Sequence, residues 1–391
     1  MNDFRPISRG DLVFFRTSLN VPITGSEVAD DYRLSKVIPV LSRLREQQAI
    51  VILCGHIGRS EEDSLGSVFD YLGQHVSLSF EENFFKRTLP EIDNFFESAR
   101  TCEPGSIILL DNVRQSPREK NDDQELAERM AKHIDWYVND AFAVAHRQHM
   151  SVSALAKACE KTLMGPTFKQ EIEVLDTARN TQDNSIAVIS GNKFDTKLPL
   201  IEKLIERYQT IVVGGALANT LYWISGHEIG RSLHDDQLSD ENKARLEALL
   251  ASDKLYLPEL VAVERGDGTR AYRHVSQVTA DDAIYDADPR AFDALSRVTP
   301  GASLLLWNGP LGYYEKGYTE GSNRMLELFA QSEGLSIIGG GNTVDFVRHS
   351  EHGTSINHLS TGGGAMIEYL TKGNLPAIDA LGEYRSFEKT V

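Results

Sequence analysis

Short apolar runs that break off at glycine turns recur along this 391-residue chain, and they constrain its fold most. Residues 49–54 (AIVILC) run into Gly55, and residues 185–189 (SIAVI) lead to Gly191. Residues 211–213 run into Gly214 and Gly215, residues 303–307 (SLLLW) into Asn308 and Gly309, and residues 335–338 into Gly339, Gly340 and Gly341. Runs this apolar read as strands buried on both faces, as in a parallel sheet covered by helices. Residues 32–47 carry apolar side chains at Leu34, Val37, Ile38, Leu41 and Leu44, which is helical spacing. The pattern predicts an α/β protein. In the stretch LSIIGGGNTVDFV a strand, a glycine turn and a helix N-terminus follow one another. Asn342 and Thr343 are expected to cap a helix that starts at Val344. Such a turn lets backbone N–H groups approach a phosphate, and the helix dipole favours an anion there.

The chain is too long for one ordinary core, so two domains are expected. A net charge of −17 argues against nucleic acid or an anionic membrane as a default partner, yet leaves room for a local cationic pocket. The N-terminus shows no signal pattern and no apolar run approaches 18 residues, which gives the expectation of a cytoplasmic protein. Cys54, Cys102 and Cys159 lack metal-ligand spacing and read as thiols in a reducing compartment.

Basic residues fall where strands of the first half end. Residues 11–16 (DLVFFR) finish on Arg16, residues 49–54 are followed by His56 and Arg59, and residues 106–110 (SIILL) by Arg114. Residues 135–138 lead to His146, Arg147 and His149. Ligands of open parallel sheets bind outside the carboxyl ends of the strands. Four arginines so placed predict a polyanion pocket, because the guanidinium fork suits phosphate and carboxylate. Arg33 falls in the first turn of its helix, where a cation opposes the dipole unless an anion is near.

In the second half, Lys193 and Lys197 stand four apart at a glycine turn and a helix start, again locally unfavourable without an anion. Together with the turns at Gly214, Asn308, Gly339 and residues 360–365 (STGGGA), they suit a nucleotide, whose phosphates and ribose need backbone donors.

Read in order, R-x-x-x-N-V-P, H-I-G-R, D-N-V-R, N-D-A-F-x-x-A-H-R-x-H, G-N-K-x-x-x-K, W-N-G-P-L-G-x-x-E, G-G-G-N-T and S-T-G-G-G-A resemble the motifs of the phosphoglycerate kinase family, over essentially the whole chain. The resemblance implies two Rossmann-like domains, each a parallel sheet flanked by helices. Residues 1–164 plus 375–391 would form the carboxylate-substrate domain and residues 181–374 the nucleotide domain, joined by a connecting helix at 165–180. It implies ATP/ADP and Mg2+ as cofactors, a small carboxylate as substrate, hinge closure, and a monomer. Carried over by position, His56, Arg59, Arg114 and Arg147 resemble the grip on the phosphate of 3-phosphoglycerate, and Asn20 a contact at its other end. Arg33 and Lys193 resemble the pair that stabilises the transferring phosphoryl group, with Gly340 and Gly363 among the catalytic positions. Lys197 resembles a nucleotide phosphate contact, Gly214 and Gly215 the wall beside adenine, Asn308 and Glu315 the contacts beside adenine and ribose. By the same resemblance the turn Gly339, Gly340, Gly341, Asn342 and Thr343 would face the nucleotide.

Three departures matter. The family has aspartate where this chain has Ser18, which would meet the substrate's hydroxyl region, and again where it has Thr196, although Asp195 is adjacent. It also has aspartate, a magnesium ligand, where this chain has Asn342. An amide oxygen brings no charge, so the metal position is weakened. Removing one charge-assisted hydrogen bond costs roughly 1.5–3 kcal/mol. Three readings stay open: a 3-phosphoglycerate kinase, a homologue that makes an acyl phosphate on another phosphorylated or phosphonate acid, and a binding or regulatory paralogue.

Overall fold

The computed structural model describes residues 4–181, 184–192 and 194–382. The chain divides into two compact units, Met1–Glu173 with Asn374–Val391, and Val174–Gly373.

The first unit is built on a six-stranded sheet ordered Ser79–Glu81, Ile107–Leu110, Ile50–Cys54, Leu12–Arg16, Trp136–Asn139, Thr162–Met164. Every pairing in it is parallel. The three runs LVFFR, IVILC and IILL are buried at every residue, because helices cover both faces. Register then brings several strand ends to one edge. Arg16 pairs with Cys54 on one side and Asn139 on the other, so the segments that follow these strands leave the sheet at one level. The described C-terminal residues return to this unit: Ala377 N–H donates to Ala145 O at 3.0 Å, and Thr162 Oγ1 to Leu381 O at 2.8 Å.

The second unit repeats the architecture. Its six-stranded sheet runs Leu255–Tyr256, Thr210–Gly214, Ser185–Ser190, Leu304–Asn308, Leu335–Gly339, His358–Leu359, all parallel. Counted along the chain, the strand order is the doubly wound one, with its reversal between Ser185–Ser190 and Leu304–Asn308. Gly214 pairs with Ser190, and Asn308 with both Ile189 and Gly339, so the glycine turns also share one edge. An antiparallel sheet, Arg270–His274, Leu260–Glu264, Ala283–Ala287, is inserted before Leu304–Asn308.

The helix Pro166–Asn180 carries the division between the units. Its start belongs to the first unit, where Asp140 Oδ1 accepts the Thr167 and Phe168 N–H groups at 2.7 and 3.1 Å. These are orphan donors of a helix N-terminus, so the carboxylate caps the helix. Asp140 is 2% exposed, and burial pushes its pKa up to about 7 against the opposing pull of those N–H groups. The unfolded chain gives up this proton near the ordinary value of 3.8, whereas the folded chain keeps it until about 7. Stability from this group is therefore full below pH 4 and lost as the pH rises towards 7, on the order of 1–4 kcal/mol in all. Denaturant unfolding at pH 4.5 and 7.5 should show Asp140→Asn losing less stability across that interval than the unaltered protein. An equal loss in both would remove Asp140 from the pH dependence.

Candidate active site

In the first unit, the loop 55–60 after Ile50–Cys54 is held from three sides. Asn20 Oδ1 accepts the Gly58 N–H at 2.9 Å. Asn112 Nδ2 donates to Ile57 O at 2.8 Å and to Asp63 O at 2.9 Å, while its Oδ1 accepts Arg114 N–H at 3.1 Å. Asp63 Oδ2 accepts the Arg59 and Ser60 N–H groups, both at 2.8 Å. Gly58 has φ +59°, and a Cβ there would lie 1.9 Å from Asp63 Oδ2, so only glycine permits this lock. Sequence alone does not mark Asn112 and Asp63 as loop-fixing residues, although Asn112 stands in the D-N-V-R motif.

Arg59 and Arg147 are exposed and Arg114 is half-buried, with its Nη1 donating to Gly58 O at 2.6 Å. None of the three has a carboxylate partner among the described residues. Burial lowers the Arg114 pKa, and the charges of Arg16, Arg147 and Arg59 lower it further against the pull of Glu119, which places these groups in one field. His56 is 5% exposed. Burial, then the charges of Arg16, Arg114, Arg33 and His149, holds its pKa well below the usual value, so it is a neutral imidazole at pH 7. Arg33 is half-buried near the start of the helix Tyr32–Glu46 and donates from Nη1 to Asn20 O at 2.6 Å. That carbonyl offsets the unfavourable dipole. Ser18 is half-buried on the same segment.

The expectation that Arg16 lines the pocket is corrected. It is 1% exposed, and its guanidinium is consumed internally: Nε donates to Ser151 Oγ at 2.8 Å, Nη1 to Thr17 O at 2.5 Å, and Nη2 lies 3.4 Å from His56 Nδ1. A side chain starting on the last strand residue turns into the layer beneath the edge. Asn20 already accepts the Gly58 N–H with its side-chain oxygen, and its NH2 group is the donor it can offer a ligand.

In the second unit, Lys193 lies outside the described residues. Lys197, on the helix Phe194–Ile205, is 6% exposed, and its ammonium donates to the side-chain and main-chain oxygens of Asn308. Asn308, 2% exposed, thus orients a buried lysine at the reversal point of the sheet. Gly309 has φ +99° and donates its N–H to Thr343 Oγ1 at 3.0 Å. Ser190 Oγ donates to Pro310 O at 2.6 Å. A Cβ on Gly214 would meet Leu311 Cδ2 at 2.4 Å, and one on Gly215 would meet Ser190 Oγ at 2.8 Å, so these glycines let the 308–312 loop lie against the neighbouring strand ends. Glu315 is exposed on the turn Tyr314–Lys316.

The helix after the triple glycine starts at Gly341, not at Val344. Gly340, at φ +94°, takes the N-cap, Asn342 is exposed in the first turn, and Thr343 is buried with its hydroxyl turned to Gly309. The helix Gly364–Lys372 likewise begins behind Gly363, at φ +50°. Neither N-cap residue supplies a side-chain cap, so first-turn N–H groups such as those of Gly341 and Gly364 stay available to an anion, although Ala365 N–H already donates to Gly362 O at 2.9 Å. Gly339 has no room for a Cβ, which would lie 2.0 Å from Met366 Sδ.

A Mg2+ held by these side chains alone does not fit them. No group of three His, Cys, Asp or Glu able to hold a metal occurs among the described residues, and Asn342 offers one neutral oxygen where the ion prefers carboxylate.

The phosphoglycerate kinase family model matches residues 2–373. A phosphoglycerate kinase of Thermomicrobium roseum is 35% identical over 388 residues, 95% of this chain and 96% of that one. One of Coxiella burnetii is 32% identical over 375 residues, 94% of this chain and 95% of that protein. The solved structure of phosphoglycerate kinase from Coxiella burnetii superposes with a TM-score of 0.83 at 30% identity, over 96% of this chain and 97% of that one. That from Pyrococcus horikoshii OT3 gives 0.82 at 26% identity, covering 99% and 100%.

Proposed function

The chain belongs to the phosphoglycerate kinase family, and from that premise we propose that it transfers the γ-phosphoryl group of ATP reversibly to the carboxylate of 3-phosphoglycerate, forming an acyl phosphate. The observation that carries the reading is the set Arg59, Arg114 and Arg147, which come from three strand ends and have no carboxylate partner among the described residues. A phosphorylated acid supplies the missing anion. Phosphoryl transfer asks little covalent chemistry of a protein and much positioning of charge. In this reading Arg33 and Lys193 steady the transferring group, His56 donates as a neutral imidazole, and Lys197 meets a nucleotide phosphate. The orphan N–H groups behind Gly340 and Gly363 receive phosphate oxygens. Gly214, Gly215 and Glu315 border the nucleoside. The reading includes hinge closure, since acid and nucleotide bind to different units, and a cytoplasmic, glycolytic setting.

A second reading, favoured by Ser18 and Asn342, keeps the chemistry and changes the acid to another phosphorylated or phosphonate carboxylate. One screen separates them. ADP release is followed with Mg·ATP, hydroxylamine as trap, and a panel of acids. Hydroxamate formed with 3-phosphoglycerate supports the first reading. Hydroxamate formed only with another acid supports the second, and ligand binding without turnover on any acid removes both.

Asn342→Asp restores a carboxylate at the nucleotide turn. It is expected to tighten Mg·ATP binding about tenfold, the worth of one charge-assisted interaction, as read by calorimetry. Weaker binding in the variant would mean that the turn is rebuilt for a different ligand charge.

A further inference from the structure

The cations of the anion pocket reach it from separate segments, and one buried carboxylate ties those segments together. Glu119 lies on the short helix Pro117–Lys120, five residues beyond Arg114, and is 1% exposed. Its Oε2 accepts the Ser151 N–H at 2.9 Å and its Oε1 the Ser151 Oγ–H at 2.8 Å. Its main-chain oxygen accepts the Met150 N–H at 2.8 Å. His149 Nδ1 stands 3.6 Å from Oε1. These bonds fasten the Arg114 segment to the one that carries Arg147 and His149. Ser151 Oγ in turn accepts from Arg16 Nε at 2.8 Å, which brings in the strand Leu12–Arg16. Burial pushes the Glu119 carboxyl up, but His149, the Arg16 charge and the Ser151 N–H outweigh it and hold the carboxyl below its usual range. It is therefore a buried anion in the same field as Arg16 and Arg114, which repel one another.

We propose that Glu119 is a positioning residue for the phosphorylated acid: clamped to Ser151 and charged, it sets the separation of Arg114 and Arg147 that an incoming phosphate requires. Two effects of removing its charge oppose each other. The field at the pocket becomes more positive, which favours an anion. The clamp loosens, since the Ser151 N–H and Oγ–H go to different carboxylate oxygens and a glutamine puts an NH2 donor where one of those acceptors stood. The clamp wins if spacing limits binding, because bidentate guanidinium bonds depend steeply on geometry.

The inference rests on the phosphate grip proposed above, and the test separates the two. Glu119→Gln and Ser151→Ala are titrated calorimetrically with inorganic phosphate, 3-phosphoglycerate and Mg·ATP. Glu119→Gln should raise the Kd for phosphate and for 3-phosphoglycerate about tenfold, leaving that for Mg·ATP within about twofold. Ser151→Ala, which keeps the main-chain bond to Glu119 and removes the hydroxyl's bonds to Glu119 and Arg16, should move both in the same direction by less. Glu119→Asp, which keeps the charge, should recover part of the loss. Unchanged or tighter phosphate binding in Glu119→Gln overturns the positioning role, even if 3-phosphoglycerate proves not to be the substrate. If Glu119→Gln does not fold, Ser151→Ala decides by the same sign. No phosphate binding by the unaltered protein overturns both the grip and the clamp.

Discussion

Replacing Arg147 by alanine is expected to raise the Kd for 3-phosphoglycerate about 10- to 100-fold, with the Kd for Mg·ATP and the thermal midpoint unchanged. The size follows from one charge-assisted hydrogen bond to a phosphate, roughly 1.5–3 kcal/mol. The selectivity follows from the fold. Arg147 is exposed and has no carboxylate partner among the described residues, so its side chain has no structural ion pair to lose. Arg114→Ala is the informative contrast. That side chain also donates to Gly58 O, so its removal should weaken acid binding and loosen the 55–60 loop together. Calorimetric titration of both variants with each ligand checks the pair. An Arg147→Ala protein that binds the acid normally would place the grip elsewhere.

Gly309→Ala should be the most damaging single change in the second unit. Gly309 sits at φ +99°, and a Cβ would lie 1.9 Å from the carbonyl oxygen of Ser190. The obstacle is backbone of the neighbouring strand and cannot swing aside as a side chain would. Backbone strain and overlap together should cost about 3 kcal/mol or more. The shift would also pull Gly309 N–H from Thr343 and move Asn308 from under Lys197. Denaturant unfolding should show the lower stability, and Mg·ATP binding should fall at least about tenfold. Gly317→Ala is the control, with φ +77° but no heavy atom within 4 Å of the added Cβ. It should cost only about 1 kcal/mol and leave the nucleotide Kd alone.

The two parallel sheets are legible because strands buried on both faces read as unbroken apolar runs. Ile50–Cys54 and Leu304–Asn308 are apolar nearly throughout, and glycine marks where they stop. The edge that gathers His56, Arg59, Arg114 and Arg147 is legible for the same reason, since parallel register carries successive strand ends to one level. The antiparallel insertion is not legible. One of its two edge strands, Arg270–His274 (RAYRH), is partly exposed and charged and is not itself an apolar run. Ser79–Glu81 is too short to stand out from a loop.

What sequence conceals most is which side chain spends itself inside the protein. Arg16 and Arg59 look alike as strand-end arginines. One is locked to Ser151, 135 residues away, and the other is exposed. Lys197 meets Asn308 across 111 residues, and Glu119 meets Ser151 across 32. No local pattern encodes such pairings. The misplaced cap at Asn342 has a local cause: Gly340, free to adopt φ +94°, starts the helix earlier than the side-chain rule expects.

The central claim is transfer of a phosphoryl group from ATP to a carboxylate held by the arginine pocket. The direct measurement follows the label from γ-labelled ATP with Mg2+, 3-phosphoglycerate and a high concentration of the enzyme. Label is expected in an acyl phosphate that hydroxylamine discharges, formed only when the acid is present and, at limiting acid, reduced about 10- to 100-fold in Arg147→Ala. Label that appears only as inorganic phosphate, at a rate indifferent to any acid, would contradict it.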